Sequence, residues 1–356
     1  MKQLEFLPRI ESLRGVAALA VVGQHVSGQL SDLPVYGWFD TFASRLVAAC
    51  CNGAGAVVTF FVLSGFVLAR SLDANSDPVR FFRNRLFRLF PAAIAVVTLL
   101  TVLHWQFGFF VGRQASFDPL DVILNLLLIR NDINVVMWSM TVECAATPLI
   151  LLSVWLFLKH GEPPLWGLVA LLFALSFWGS YVHLLGGNTS LASFYAFVVG
   201  VLIHCRGGVI SLIGRRPVTA VIIAVAVYCF CGLRTQSALV LMLECICAAI
   251  VIALIVYRPA ITLFAPLDFR PVRFYGRISY SFYLLHLLGI SLATRAIDPL
   301  VLHAWGMPLS LTILCTTLAA ILVTTPVAWL SWRFIEAPAI RLGRMLGTQP
   351  QLLTAG

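Results

Sequence analysis

Arg14 and His25 lie eleven positions apart in a stretch that is otherwise almost entirely apolar, IESLRGVAALAVVGQHVSG. In a helix, eleven residues return to within about 20° of the starting direction, so the two side chains share one face. A rise of about 1.5 Å per residue places the imidazole about 16 Å beyond the guanidinium. This spacing suits an arginine that binds an anion at a membrane surface and a histidine that transfers a proton near the midplane.

A buried carboxylate is the second candidate for acid–base chemistry. Glu143 lies five residues after Trp138 in the segment WSMTVE, about 7 Å into an apolar span. An unpaired carboxylate is costly at that depth and is usually functional. Measured from the opposite surfaces of the membrane, Glu143 and His25 lie at similar depths within it. We therefore expect Glu143 to orient the imidazole and stabilise its protonated form. The alternative is a structural ion pair between Glu143 and a buried cation.

Four arginines alternate with phenylalanines in DPVRFFRNRLFRLFP, which we interpret as a loop from Asp77 to Pro91. Arg85 and Arg88 lie three residues apart and therefore on one side of a helical turn. Because guanidinium groups bind phosphate through paired hydrogen bonds, we expect these two arginines to capture an anion. For Arg80, the simpler interpretation is an anchor to anionic lipid.

Two further apolar segments contain polar residues. His286, in RISYSFYLLHLLG, follows Tyr280 and lies about 13 Å beyond the basic start of its segment. It is either a second catalytic candidate or a packing residue. Ser64 and Gly65 lie near the middle of FFVLSGFVLAR, where glycine permits the close approach of another helix or of a substrate, and packing is the favoured interpretation. Glu244 is another buried acid, and the sequence names no partner for it.

The composition indicates a membrane around these residues. The chain has 356 residues, of which 60% are hydrophobic and only 11% charged, and its mean hydropathy is +0.94. These values lie well outside the balance of soluble domains. The sequence predicts an all-α polytopic membrane protein with about ten transmembrane helices. Their approximate ranges are 13–31, 50–69, 90–110, 138–158, 165–185, 190–204, 217–233, 238–257, 277–297 and 307–332.

The basic residues predict the orientation, because lysine and arginine accumulate in cytoplasmic loops. With a cytoplasmic N-terminus and ten spans, nineteen of the 24 basic residues fall inside, so both termini are predicted to be cytoplasmic. The net charge of +9 then reflects membrane orientation, and we expect no nucleic-acid partner. Residues 1–344 form one predicted membrane domain, and 345–356 form a short cytoplasmic tail. The nine cysteines lack metal-site spacing, so no metal site is predicted.

Five motifs, in order along the chain, resemble those of the acyltransferase-3 family of integral membrane acyltransferases. They are Arg14 with His25, FFVLSGF at 60–66, Arg85 with Arg88, Trp138-Ser139 with Glu143, and SYSFYLLH at 279–286. The resemblance covers almost the whole chain, from LRG at 13–15 to WRFIEAPAIRLGR at 332–344.

The resemblance implies an O-acyltransferase of the bacterial cytoplasmic membrane. Acyl-CoA, usually acetyl-CoA, is the donor substrate and binds from the cytoplasm, with no permanently bound cofactor. The acceptor is a hydroxyl of a cell-surface or exported saccharide or glycolipid. The implied catalytic residues are His25 and Glu143, the donor-binding residues are Arg14, Arg85 and Arg88, and the other pocket candidates are Ser64, Trp138, Ser139, Tyr280 and His286. Direct transfer and an acyl intermediate on His25 both remain open.

Two other functions are compatible with buried histidine and glutamate side chains. An acylase of a small cytoplasmic natural product would use the same site, entered from one side. A glycolipid transporter or flippase would also place such residues near the midplane, but should show inverted repeats and paired broken helices. Neither of these features is evident in the sequence. The sequence predicts no particular oligomeric state.

Overall fold

The computed structural model describes residues 7–74, 77–111, 114–178, 193–210 and 216–346. Over these residues the regular structure is helical, with no strand. The α-helices in this part of the chain are α1 (Pro8–Gln29), α2 (Gly37–Cys50), α3 (Gly53–Ala74), α4 (Pro78–Phe107), α5 (Pro119–Leu126), α6 (Trp138–His160), α7 (Pro163–Ser176), α8 (Phe194–Ile210), α9 (Pro217–Cys231), α10 (Ala238–Tyr257), α11 (Arg270–Ala296), α12 (Pro299–Ala304), α13 (Leu309–Ser331) and α14 (Ala337–Met345).

The all-α prediction is confirmed, and each of the ten predicted apolar segments overlaps a helix. Within the described ranges, five stretches are long and apolar enough to cross a membrane by length and composition: Gly37–Asp73, Pro78–Phe107, Val135–His160, Ala238–Tyr257 and Leu309–Met345. Helices α7, α8 and α9 are shorter but apolar. Ten crossings and cytoplasmic termini stay predictions, and most of the predicted tail lies outside the described residues.

The arginine-rich segment predicted as a loop is helical, so that prediction is wrong. Asp77 caps the start of α4 by accepting hydrogen bonds from two backbone N–H groups of the first turn, and Pro78 fits there because its position needs no N–H donor. Pro91 lies inside the helix, where membrane helices tolerate proline. Arg85 and Arg88 therefore project from a continuous helix of 30 residues.

A helix that the sequence analysis did not predict, α2, is tied to the start of α13 by one carboxylate. Asp40 is buried and accepts hydrogen bonds from the backbone N–H groups of Leu309 (2.9 Å) and Ser310 (2.8 Å). The Ser310 hydroxyl donates to the same carboxylate at 2.7 Å. The exposed side chains of α2 include Trp38 and Phe39, as expected of a helix that lies at a membrane interface.

Helices α1 and α11 run parallel and in register. Gly15 faces Gly276 so closely that a Cβ on Gly15 would lie 2.5 Å from the Gly276 nitrogen. Ten residues further along both helices, the rings of His25 and His286 lie 5.1 Å apart between centroids. The two glycines thus allow the backbone approach that brings the two histidines together.

The structure supports the packing interpretation of Gly65 in α3. A Cβ at this position would overlap the backbone carbonyl of Phe197 in α8, and Gly200 of α8 faces the backbone of α3 in the same way. Gly65 therefore allows the close approach of α8 to α3.

Reporter fusions test the predicted orientation. Fusions after Arg216 and Arg344 are expected to report a cytoplasmic location, because lysine and arginine accumulate in cytoplasmic segments. Fusions after Gly37 and Asp298 are expected to report an extracytoplasmic location. A fusion after Gly187, which lies outside the described residues, should also report outside. A cytoplasmic signal at Asp298 or Gly187 would contradict the ten-span topology.

Candidate active site

A cavity with about 380 Å³ of empty volume lies between α1, α3, α6 and α11. Its charged lining residues are Arg14 and Glu143. The other lining residues are Val57, Phe60, Phe61, Ser139, Met140, Ser279, Tyr280 and Tyr283. A mostly apolar wall with a few convergent polar groups is the composition typical of a small-molecule site.

Glu143 forms a buried ion pair with Arg85. The Arg85 Nη2 atom lies 3.0 Å from Glu143 Oε1, and the two side chains are only 7% and 8% exposed. Arg85 Nη2 also donates a hydrogen bond of 3.2 Å to the Ser64 hydroxyl, which in turn interacts with the Glu143 carboxylate. Among the described contacts, the predicted one between Glu143 and His25 is absent. Equal depth along two helices does not fix the direction in which each side chain points.

His286 offers a buried proton acceptor beside His25. Its Nδ1 hydrogen-bonds the carbonyl oxygen of Tyr283. Because a carbonyl can only accept, Nδ1 carries the proton and Nε2 holds a lone pair. Nε2 is buried and has no hydrogen-bond partner in the described part of the chain. His25 is half-buried, so the pair combines a fixed tautomer on α11 with a more accessible imidazole on α1.

Arg14 and Arg88 lie close enough to interact electrostatically with each other. The Nε atom of Arg14 is buried without a hydrogen-bond partner among the described residues. Arg88 is half-buried, and the described residues give it no ion pair within 4 Å. This part of the site therefore has guanidinium donors that an anion can still use. Arg85 differs because its Nη2 atom contacts Glu143 and Ser64, although its buried Nε atom also has no hydrogen-bond partner among the described residues.

Glu336 is a site residue that the sequence analysis missed. It is 3% exposed, accepts a hydrogen bond of 2.7 Å from the Ser281 hydroxyl, and interacts electrostatically with Arg14 and Arg88. It ends a π-helical turn, Trp332–Glu336, a feature often found at functional sites. The available signal was an acid directly after a long apolar helix, in WRFIEAP.

Tyrosines of α11 bind the surrounding helices together. The Ser139 hydroxyl donates to the Tyr283 hydroxyl at 3.0 Å, and the Tyr280 hydroxyl donates to the Leu89 carbonyl at 2.5 Å. Trp138 packs edge-on against a phenylalanine of α3. Ser139 and Tyr280 line the cavity, whereas Trp138 supports the wall behind it.

The site has two chemically different ends. Arg14 and Arg88 supply positive charge near the start of α1. Along α11, the cavity extends to Tyr283, whose ring lies 5.4 Å from that of His286. The arrangement can therefore hold an anionic group at one end, with the Arg85–Glu143 pair alongside. His25 and His286 are not lining residues of the cavity and lie beyond its other end, next to Tyr283.

The structure also gives Glu244 a partner that the sequence could not name. Its Oε1 atom accepts a hydrogen bond of 2.8 Å from the side-chain amide of Asn52, which also donates to the Tyr228 carbonyl at 2.9 Å. This buried contact joins α3, α9 and α10. Glu244 is not among the residues that line the cavity.

Comparison with protein families assigns the chain to a family. A family model described as an acyltransferase domain, Acyl_transf_3, matches residues 7–333, a range that contains all ten site residues predicted from the sequence. No curated protein and no solved structure matches the chain. Because the match covers nearly the whole chain, the protein belongs to the acyltransferase-3 family of membrane acyltransferases.

Proposed function

We propose that the protein is an O-acetyltransferase that moves the acetyl group of acetyl-CoA to a hydroxyl of a cell-surface or exported saccharide. The donor binds from the cytoplasmic side of a bacterial inner membrane. The observation that carries the proposal is a single cavity with free arginine donors at one end and a histidine pair beyond the other.

The arginine end suits the phosphates of CoA. The Nε atom of Arg14 is buried without a hydrogen-bond partner among the described residues, and Arg88 forms no ion pair with them. Paired N–H groups of this kind match phosphate oxygens. Arg85 holds Glu143, so we assign it to positioning the carboxylate rather than to direct phosphate contact. The negative charge of Glu336 close to Arg14 and Arg88 limits the repulsion between these two arginines when no donor is bound.

The histidine end suits the transfer step. The acceptor oxygen attacks the thioester carbonyl carbon, its proton passes to an imidazole nitrogen, and the C–S bond breaks as the ester forms. The imidazolium then returns the proton to the departing thiolate, which gives free CoA. We assign the first proton transfer to His25. The Nε2 lone pair of His286 has no hydrogen-bond partner among the described residues, so His286 receives or shares that proton.

A two-step route uses the same residues. His25 would attack the thioester carbonyl carbon, the C–S bond would break, and the departing CoA thiolate would take up the imidazole proton. The acceptor hydroxyl would then attack the acyl-imidazole while His286 takes its proton, which gives the ester and free His25. Rapid quenching of the protein with labelled acetyl-CoA, without acceptor, distinguishes the routes. Label retained on a peptide that contains His25 supports the intermediate, and its absence supports direct transfer.

The test of the proposed function is product formation by the purified protein. With radiolabelled acetyl-CoA and saccharide fractions from the host, we expect label in a saccharide ester that mild alkali releases. Transfer only to small hydroxylated metabolites would replace the saccharide with the small-molecule alternative. Movement of a glycolipid across vesicles without any acyl transfer would favour a transporter and contradict the proposal.

Substitution of Arg88 tests the donor end. Arg88→Ala is expected to weaken acetyl-CoA affinity more than it slows saturated turnover, because a phosphate contact is made equally in the ground and transition states. Arg88→Lys should restore only part of the affinity, since a point charge cannot reproduce the paired contact. Titration calorimetry measures the affinity, and Arg344→Ala on exposed α14 is the matched control. Unchanged affinity in a folded Arg88→Ala protein would remove Arg88 from the donor site.

A further inference from the structure

An open groove outside the candidate active site runs between α11 and α13. Its empty volume is about 620 Å³, and its lining is Phe274, Tyr275, Leu322, Thr325, Pro326 and Trp329. The groove is almost entirely apolar, except that the hydroxyls of Tyr275 and Thr325 lie 3.0 Å apart. The α13 wall coincides with a segment predicted to cross the membrane, so acyl chains are its surrounding solvent. Phe274 and Tyr275 of α11 precede the predicted span 277–297, so this wall is predicted to lie at the level of the lipid headgroups.

Exposed arginines flank one end of the groove on both walls. Arg333 lies in the π-helical turn that directly follows α13, four residues after Trp329, so it is about 6 Å further towards that end. On α11, Arg270 lies one turn before Phe274. Because α11 and α13 are antiparallel, Arg270 lies beyond the same end of the groove as Arg333. Both arginines are exposed, and neither forms an ion pair with another described residue.

We propose that this groove, hereafter the α11–α13 groove, is a binding site for an anionic phospholipid of the surrounding leaflet. One acyl chain lies along the apolar lining, and the phosphate is bound between Arg270 and Arg333. An apolar groove with an exposed arginine beyond the same end of each wall complements a lipid that carries a negative headgroup on a long chain. A zwitterionic lipid offers no net charge to these arginines. The proposal is independent of the acyl acceptor.

Photo-crosslinking in nanodiscs tests the site directly. The full-length protein is placed in phosphatidylcholine nanodiscs that contain a minor fraction of a phosphatidylglycerol with a photoreactive acyl chain. Crosslinks are expected in the peptides that contain Phe274 and Trp329. The same photoreactive chain on phosphatidylcholine should label these peptides several times less.

Two pairs of variants separate charge from shape. The double variant with Arg270→Gln and Arg333→Gln should lower the preference for phosphatidylglycerol by about fivefold per arginine, which corresponds to about 1 kcal/mol each. Arg344→Gln on α14 is the matched charge control and should change nothing. Trp329→Ala should reduce labelling by both lipids, whereas Trp166→Ala, an exposed tryptophan of α7, should not.

Three outcomes would overturn the proposal. Equal labelling by the two lipids, or a double variant that keeps its preference, would show that the arginines do not select an anionic headgroup. Displacement of the label by long-chain acyl-CoA or by a glycolipid, but not by unlabelled phosphatidylglycerol, would assign the groove to a substrate chain. Labelling spread evenly over the membrane-facing helices would show that the groove is not a distinct site.

Discussion

Replacement of His25 with alanine is expected to abolish acetyl transfer while leaving the protein in the membrane and able to bind acetyl-CoA. Loss of a general base typically costs 10²- to 10⁴-fold in rate, about 3–5 kcal/mol of transition-state stabilisation. Donor binding should persist because Arg14 and Arg88 lie towards the other end of the site. The measurement is turnover of labelled acetyl-CoA, with donor affinity determined on the same preparation.

His286→Ala is the variant that distinguishes the roles of the two histidines. If the pair acts as a unit, the double variant should be little slower than His25→Ala alone. If His286 only packs between helices, His286→Ala should lower stability and leave the rate per folded molecule nearly unchanged. Substantial transfer by a folded His25→Ala protein would remove His25 from the mechanism and leave His286 as the base.

The pairing of the two histidines illustrates what could be predicted from the sequence. That Arg14 and His25 share a face follows from local helix geometry, and α1 runs unbroken through both. That His286 is the neighbour of His25 depends on the register between two helices far apart in the chain. This register depends on the close approach of Gly15 and Gly276, and no local pattern reveals which glycines meet.

The partner of Glu143 was predicted incorrectly for a related reason. Its depth could be estimated from its distance to the start of α6, but depth does not specify direction. Because the next predicted span begins at about residue 90, the sequence places Arg85 in a loop. Helix α4 instead runs continuously from Pro78 to Phe107 and brings this guanidinium to Glu143. Glu336 was missed because its contacts are with Ser281 and the arginines of other helices, none of which is near it in the sequence.

Breaking the Arg85–Glu143 pair is expected to have the largest effect on stability. Removing one partner of a buried ion pair typically costs about 3–5 kcal/mol, because the other charge remains buried without compensation. Glu143→Gln leaves Arg85 without its ion-pair partner, and Arg85→Gln leaves the Glu143 carboxylate with Ser64 and with the more distant charge of Arg14. Denaturant unfolding in detergent measures both variants. The Arg130 and Asp121 pair, which is partly exposed, supplies the control, because Asp121→Asn should cost at most about 1 kcal/mol.

The double variant with Arg85→Gln and Glu143→Gln separates structure from chemistry. It removes both charges, so its loss of unfolding free energy should be smaller than the sum of the losses in the two single variants. The difference between these two quantities is the coupling energy of the pair. If Glu143 serves only to compensate Arg85, acetyl transfer per folded molecule should recover in the double variant. If the carboxylate also stabilises positive charge that develops on the histidines, transfer should stay low although stability returns. Equal stability of all three variants and the parent would show that the ion pair contributes nothing to holding α4 against α6.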